Sequence, residues 1–408
     1  MTTDRQHPPV PKLRFPEFRN AGDWHFQPLS GIAELISEKV GTSKCVPMSV
    51  TTGVGLLSQE EKFGRIIAGN SYKNYIRLQT NDFAYNKSAT KEFPQGYIAR
   101  YSGAKDAAVP NSIFTCFRPR STSIIPEYLD YLLHGNHHGQ WLRKYITVGA
   151  RAHGALSVAN DALMSLPVPL PPIQVLHSEQ QKIADCLGSL DDLIAAEGQK
   201  LEALRQHEKG LMQQLFPQPG ETMPKLRFPE FREAPRWVQT PLRDAFKIIT
   251  NGQANAQDHR DDATYPLFDR SEVVKRSPTF LFDAEAVILP GEGMRFQPRY
   301  FNGKFNLHQR AYALMGPTIN PCYAFHALDR FKGTLADSAV KSTVLSLRMP
   351  IIEKFTIPCP TSDNEQQKIA VCLGSLDDLI AAEGRKLEAL QQHKKGLMQQ
   401  LFPGLEME

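Results

Sequence analysis

Between Ile183 and Leu215 apolar residues recur at alternating steps of four and three: Ile183, Leu187, Leu190, Ile194, Leu201, Leu204, Leu211 and Leu215. Glu197 and Glu208 fill the two gaps. A seven-residue apolar period is the signature of a supercoiled helical seam. The pattern returns 186 positions later as Ile369, Leu373, Leu376, Ile380, Leu387, Leu390 and Leu397. The two segments, Glu179–Pro217 and Glu365–Pro403, are identical at 35 of 39 positions. They differ only at Asp185/Val371, Gln199/Arg385, Arg205/Gln391 and Glu208/Lys394. Each predicts a helix of roughly 55–60 Å at about 1.5 Å per residue. So narrow a stripe needs cover, and each segment's natural partner is its own copy. Ser178 with Gln181 and Asn364 with Gln367 fit capping boxes, and Pro217 and Pro403 fit stops.

A second repeat frames the first. PKLRFPEFR occupies Pro11–Arg19 and again Pro224–Arg232. Trp24/Trp237 and Pro28-Leu29/Pro241-Leu242 keep the same offset of 213. Each half therefore runs from this opening motif through a Trp, a globular stretch and a Pro-rich segment (Leu166–Ser178, Phe355–Asn364) into a long helix. The predicted domains are 1–178, a helix over 179–217, 218–364, and a second helix and tail over 365–408. Tandem duplication predicts a pseudo-two-fold chain with its helices antiparallel. The globular stretches 20–177 and 233–364 do not resemble each other and read as mixed α and β. Ser112–Phe117 and Ala311–Leu314 predict strands, and Tyr128–His134 with Trp141–Tyr145 predict helix.

At 408 residues the length suits two or three domains, and 41% hydrophobic with 22% charged residues is ordinary for a globular chain. No apolar run reaches the roughly 20 residues of a membrane helix, and the polar, Pro-rich start does not fit a signal peptide. Six scattered cysteines without CxxC spacing fit free thiols in a reducing cytoplasm. The net charge of +4 is unevenly spread. Residues 1–178 carry 19 Lys and Arg against 13 Asp and Glu, and residues 218–364 carry 19 against 16. The helical segments carry 4 against 7 and 5 against 7. The globular parts, not the helices, are suited to meet a polyanion.

Catalytic signatures are sparse. There is no phosphate-cradling glycine loop and no His/Cys cluster at metal-ligand spacing. Asn320-Pro321-Cys322-Tyr323 is similar to the Asn-Pro-Pro-Tyr/Phe motif of amino-methyltransferases, but lacks the second proline and an upstream cofactor loop. It reads as a turn, as does Thr52–Gly55. His134, His137 and His138 read as a solvated helix end. Basic windows interleaved with aromatics carry more information. Met294–Arg310 holds Arg295, Arg299, Lys304, His308 and Arg310 with four aromatics and no acid, and residues 131–160 hold Arg143, Lys144, Arg151 and His153 with none. With Lys87, Arg100 and Lys341, these are the candidate DNA-binding residues, cations able to reach phosphates or guanine edges.

The opening PKLRFPEF, the stretches NDFAYNKSATKEFPQGYIARYSG and GARAHGALSV, the Pro-rich run before EQQKIA and the helix ending GLMQQLFP together resemble the DNA-specificity (S) subunit of type I restriction–modification systems. The resemblance covers nearly the whole chain. It implies an α+β architecture of two target-recognition domains, each reading half of a split, asymmetric sequence in double-stranded DNA. An antiparallel coiled coil of the two long helices would set the gap between them. It implies a non-catalytic, cytoplasmic subunit without cofactor of its own. Its implied partners are two modification subunits that carry S-adenosylmethionine and methylate adenine, and two restriction subunits that use ATP and Mg. This chain departs from the family pattern where Val175-Leu176-His177 are inserted before Ser178. A stand-alone methyltransferase or nuclease with its own reader is the alternative, and a purely structural coil would leave two divergent basic globules without a purpose.

Overall fold

The computed structural model describes residues 10–51, 53–146, 154–341 and 343–405. It contains two compact units, Met1–Ala196 with Leu387–Glu408, and Glu197–Lys386. Each unit therefore combines a globular part, the start of the long helix that follows it, and the end of the other long helix. The helices span Leu176–Leu215 and Asp363–Leu401. Every seam residue that the heptad predicts, from Ile183 to Leu215 and from Ile369 to Leu397, is buried or half-buried, while the positions between are mostly exposed. Within the second unit Lys200 reaches Glu383 at 2.5 Å and Lys386 reaches Glu197. Within the first, Lys394 meets Asp191 at 2.5 Å. As one partner's number rises the other's falls, so the helices run antiparallel. Glu197, which interrupts the apolar seam, is thereby neutralised.

The capping boxes do not form. The first helix begins before Ser178, whose Oγ donates to the Val175 carbonyl at 3.1 Å, and Asn364 lies inside the first turn of the second. The inserted Val175-Leu176-His177 is absorbed as the end of a 3-10 turn (Ile173–Val175) and the first residues of the helix. Nearby glutamines do different work. Gln180 Oε1 accepts the Ile125 N–H at 2.8 Å, and Gln366 Oε1 accepts the Asn320 N–H at 2.8 Å. Ile125 and Asn320 are the N-cap residues of the helices Pro126–His134 and Pro321–Asp337, so each long helix holds the start of a shorter one.

The nine-residue repeat is explained by what its side chains grip. Arg14 makes two bonds to Glu179, at 2.7 and 2.8 Å, and Arg227 makes two to Glu365, both at 2.7 Å. Glu17 and Glu230 sit 3.3 and 3.4 Å from Lys182 and Lys368. The Leu13 N–H donates to the Gln400 carbonyl and the Leu226 N–H to that of Gln214, at 3.0 and 2.9 Å, satisfying carbonyls in the last turn of the other helix. Strand His25–Pro28 then pairs antiparallel with Pro167–Leu170, and Val238–Pro241 with Thr356–Cys359. Tyr128 and Tyr323, both fully buried, donate to the carbonyls of Pro169 and Pro358 at 2.6 Å.

On these matching frames the sheets differ. The first unit carries two four-stranded sheets. One runs Ala33–Leu35, Phe114–Pro119, Phe83–Asn86, Tyr97–Arg100, and the other Gly55–Ser58, Val46–Thr51, Ala107–Val109, Ile76–Leu78. The second unit carries one six-stranded sheet in the order Phe246–Asn251, Ala311–Pro317, Phe282–Pro290, Arg299–Leu307, Tyr265–Phe268, Lys275–Ser277. The predicted strands at 112–117 and 311–314 are present as Phe114–Pro119 and Ala311–Pro317. The predicted helix around Trp141–Tyr145 is instead His137–Leu142.

Two local readings are corrected. His137 and His138 are not solvated: they are 5% and 0% exposed, with Nε2 atoms 2.8 and 3.1 Å from the carbonyls of Pro167 and Gly96. Burial pushes both down to about 4, so they pack as neutral rings. Asn320-Pro321-Cys322-Tyr323 is not a free turn but a helix start, with Asn320 Oδ1 accepting the Tyr323 N–H at 2.9 Å and Pro321 in the first turn.

One difference between the long helices has an energetic consequence. Asp191 meets Lys394, but its counterpart Asp377 faces Glu208 and lies 3.8 Å from the buried His326, with Asp329 and Asp378 nearby. Burial, then the hydrogen bond with Glu208, pushes the Asp377 carboxyl up to about 7. An unfolded Asp titrates near 4. The folded chain therefore holds a proton that the unfolded chain releases, and the stability it contributes is full below about pH 4 and lost as pH rises through about 7. Glu208→Lys rebuilds the pair found in the first unit. It should stabilise by about 0.2–1 kcal/mol at pH 7–8, the usual range of a partly exposed ion pair. His326, held neutral by burial, titrates in the opposite sense, so the quantity to follow is the gap between variant and wild type in thermal unfolding. That gap should close on acidification towards pH 4; a gap independent of pH would remove the proton from the account.

Candidate nucleic-acid interface

In the second unit the strand Arg299–Leu307 alternates half-buried and exposed positions before its last three residues enter the core. The alternation follows from the two-residue repeat of a strand. Lys304 is exposed and lies with Nζ 4.8 Å from the centre of the Phe280 ring. Arg295 is exposed with no side-chain partner among the described residues. Arg310 is exposed and pairs with Glu292, and the His308 imidazole, pushed down by burial, accepts the Arg310 N–H at 3.1 Å. Arg299 differs from these. It is half-buried, and its guanidinium donates to the carbonyls of Ser271 and Glu272 at 2.6 and 2.5 Å, tying the strand to the loop that holds them. Lys341 is exposed beyond the helix Pro321–Asp337.

The fold adds cations that the acid-free window passed over. A cleft of about 700 Å³ is lined by Arg270, Lys275, His308 and Arg310 together with Asp269 and Glu292, which pair with Lys275 and Arg310 and leave Arg270 without a carboxylate partner among the described residues. A neighbouring one of about 380 Å³ is lined by Arg260, Gln253, Gln257, Asn306 and Phe280, a set rich in the donors and acceptors that read base edges. Residues 258–276 hold five acids, which hid their arginines from a search for acid-free stretches. Several of those acids are used locally: Asp269 by Lys275 and Ser271, Asp261 by His259, and Asp258 by the Asn255 N–H. Of these only Asp269 is neutralised by a cation, Lys275, while the others keep their charge beside the arginines.

In the first unit the predicted residues separate. Arg143 and Lys144 are exposed just past the helix His137–Leu142, with the Lys144 ammonium 3.7 Å from the centre of the Trp141 ring. Lys87 is half-buried, its backbone paired with Ile113 and Leu156. Arg100 is held inside the fold by Glu127 at 2.5 Å, Asp130 at 3.2 Å and Asn81 at 2.8 Å. Arg151 and His153 lie outside the described residues. Among the described residues no group of three or more His, Cys, Asp or Glu is placed to hold a metal ion, and no helix is long and apolar enough to cross a membrane.

Residues 52–206 and 236–392 match the family described as the type I restriction modification DNA specificity domain. The chain is 24% identical over 344 residues to the putative MjaX specificity subunit of a type I restriction enzyme from Methanocaldococcus jannaschii, covering 80% of this chain and 79% of that one. It is 28% identical over 163 residues to the EcoDI specificity subunit of Escherichia coli, covering 40% and 36%. The solved S subunit of a type I restriction–modification system from M. genitalium superposes with a TM-score of 0.63 over 97% of this chain and 100% of that one, at 14% identity. A chain from a structure concerning assembly and conformational transition of the type I R-M system superposes with a TM-score of 0.55, over 93% and 98%, at 14% identity. Matched in both halves and sharing this fold, the chain belongs to the type I restriction–modification DNA-specificity family.

Proposed function

We propose that this specificity subunit selects a bipartite target in double-stranded DNA, one half-site per globular part. The duplicated frames are the scaffold on which modification and restriction subunits assemble. The observation that carries this reading is the contrast between frame and sheets: the same grips recur around Glu179 and Glu365, while the sheets they hold differ in strand number and order. A frame kept constant suits partners that are the same twice; sheets that diverge suit two unlike stretches of DNA. The chain itself supplies no chemistry in this reading. S-adenosylmethionine, ATP and Mg belong to the partner subunits, in the cytoplasm. A self-contained methyltransferase would be exposed by methyl transfer to DNA from the purified chain alone.

The exposed cations of the second unit should act through phosphates. Replacing Arg270, Lys304 and Arg310 together with alanine should weaken binding across sequences. It should also flatten the salt dependence of log K by about one unit for each phosphate the protein ceases to neutralise. Filter binding between about 50 and 200 mM salt checks this. An unchanged slope would take this face out of the interface. Arg299→Ala, in contrast, should act first on thermal stability, since its donors are spent on carbonyls.

The outward residues of the opening motifs are also duplicated: Lys12/Lys225, Leu13/Leu226 and Arg19/Arg232 are exposed in both. Two such surfaces should bind two modification subunits per chain. Native mass spectrometry at saturating partner should give that ratio, and Leu13→Asp with Leu226→Asp should lower it. A saturated complex with one modification subunit would contradict the duplicated docking.

A further inference from the structure

The loop before strand Arg299–Leu307 has an unusual construction. Its base is fixed. The Gly291 N–H donates to the Arg310 carbonyl and the Gly291 carbonyl accepts the Leu347 N–H, both at 2.8 Å, while the Gly293 N–H donates to the Leu345 carbonyl at 3.1 Å. A Cβ on Gly291 would stand 2.4 Å from the Arg310 oxygen, and Gly293 has φ of 137°, so both positions require glycine. Just past Arg295 the chain is fixed again. Phe296 is fully buried, and Gln297 is held by Asp329 and by Lys332, the latter at 2.6 Å. Between these anchors only Met294 and Arg295 project. Met294 is 78% exposed, and Arg295 has no side-chain partner among the described residues. A single exposed apolar side chain is ordinary; what distinguishes Met294 is that it stands beside an unpartnered arginine on a tip fixed at both ends.

The surroundings of the tip point to nucleic acid. The tip belongs to the divergent sheet, not to the duplicated frame, so a partner present in two copies is a poor match. It adjoins the cleft in which Lys275 and Arg310 pair with Asp269 and Glu292 and Arg270 has no carboxylate partner among the described residues. We propose that Met294 and Arg295 form a specificity-determining tip that reads neighbouring base pairs in the major groove. Arg295 bonds a guanine edge, and Met294 packs on a thymine methyl. The inference rests on the DNA-binding reading of the second unit. The anchors explain why a two-residue tip suffices: a rigid loop gives up little conformational entropy on binding.

The test uses the full chain assembled with its modification subunits and a duplex library randomised across the target, selected by binding and sequenced. Arg295→Ala should relax preference at one base pair of one half-site, lowering discrimination roughly 5- to 150-fold, the range of a single good bidentate pair with a base. Met294→Ala should relax a neighbouring pair. Replacing thymine there by uracil, which lacks the methyl, should weaken the wild type and leave the variant unaffected. The other half-site should stay unchanged in both variants, which shows that they fold and assemble. Preferences unaltered at every position, or affinity lowered equally for all sequences, would overturn the tip as a reader. If the Arg270, Lys304 and Arg310 variant keeps its salt slope as well, the DNA face itself is wrong. If that variant responds and the tip variants do not, only the present inference fails.

Discussion

The fold depends on one buried ion pair made twice. Arg14 and Glu179 are 8% and 1% exposed, and Arg227 and Glu365 are 6% and 1%. Taking two charges out of water is costly, and the attraction offsets that only when geometry is good and the remaining donors are used. Here both oxygens of each carboxylate take an arginine N–H, while spare guanidinium donors go to the carbonyls of Gly22 in the first unit and of Ala234 and Pro235 in the second. Losing one member would leave a buried charge uncompensated, at about 3–5 kcal/mol. The pair also fixes register. The residue before each arginine bonds the last turn of the other long helix, so two adjacent residues hold the start of one helix and the end of its partner. The seam then has no freedom to slip by a heptad.

How much of this was legible depends on how many residues carried each feature. The seam needed many apolar positions at a fixed period, and each lies away from water. The nine-residue motif was legible because it is contiguous. The grip between them was not. Tyr128/Tyr323 and Ile125/Asn320 stand 195 apart, against 213 for the opening motif and 186 for the helix. A hydroxyl-to-carbonyl bond needs one residue with no periodic neighbours, and divergent sheets on either side shift its offset. The candidate site was legible in part for a similar reason. Charge windows mark Lys304 and Arg310 but not Arg270, which lies in a stretch, 258–276, that holds five acids. Arg100, a candidate from outside those windows, is spent on three partners that lie 19 to 30 residues away in sequence.

The same offset of 195 sets Tyr131 opposite His326, which clarifies the break in symmetry between the long helices. In the first unit Tyr131 donates to Asp191 at 2.8 Å, and Lys394 completes the group. In the second unit His326, Asp377 and Glu208 take the three places. Of four differences between otherwise identical segments, Glu208/Lys394 therefore answers a change in the globular part rather than in the coil. The long helix thus adapts where it meets the helices Pro126–His134 and Pro321–Asp337, while the other three differences lie at exposed positions.

Charge is partitioned along the same line. In the frame, Arg14, Lys182, Lys200, Arg227, Lys368, Lys386 and Lys394 each have a carboxylate within 3.4 Å. On the second unit's sheet and its loops Arg270, Arg295 and Lys304 have none among the described residues, and Lys304 rests instead on an aromatic face that leaves its charge unneutralised. Each phosphate that a protein cation neutralises frees a counterion of the polyanion, and a cation already paired inside the protein is less available for that exchange. The frame also keeps exposed cations, among them Lys12, Arg19, Lys225 and Arg232 of the opening motifs, so what sets it apart is the pairing of those cations that hold its helices together. The pairs that hold the frame together use none of Arg270, Arg295 and Lys304, so a change in the second unit's sheet leaves those pairs intact.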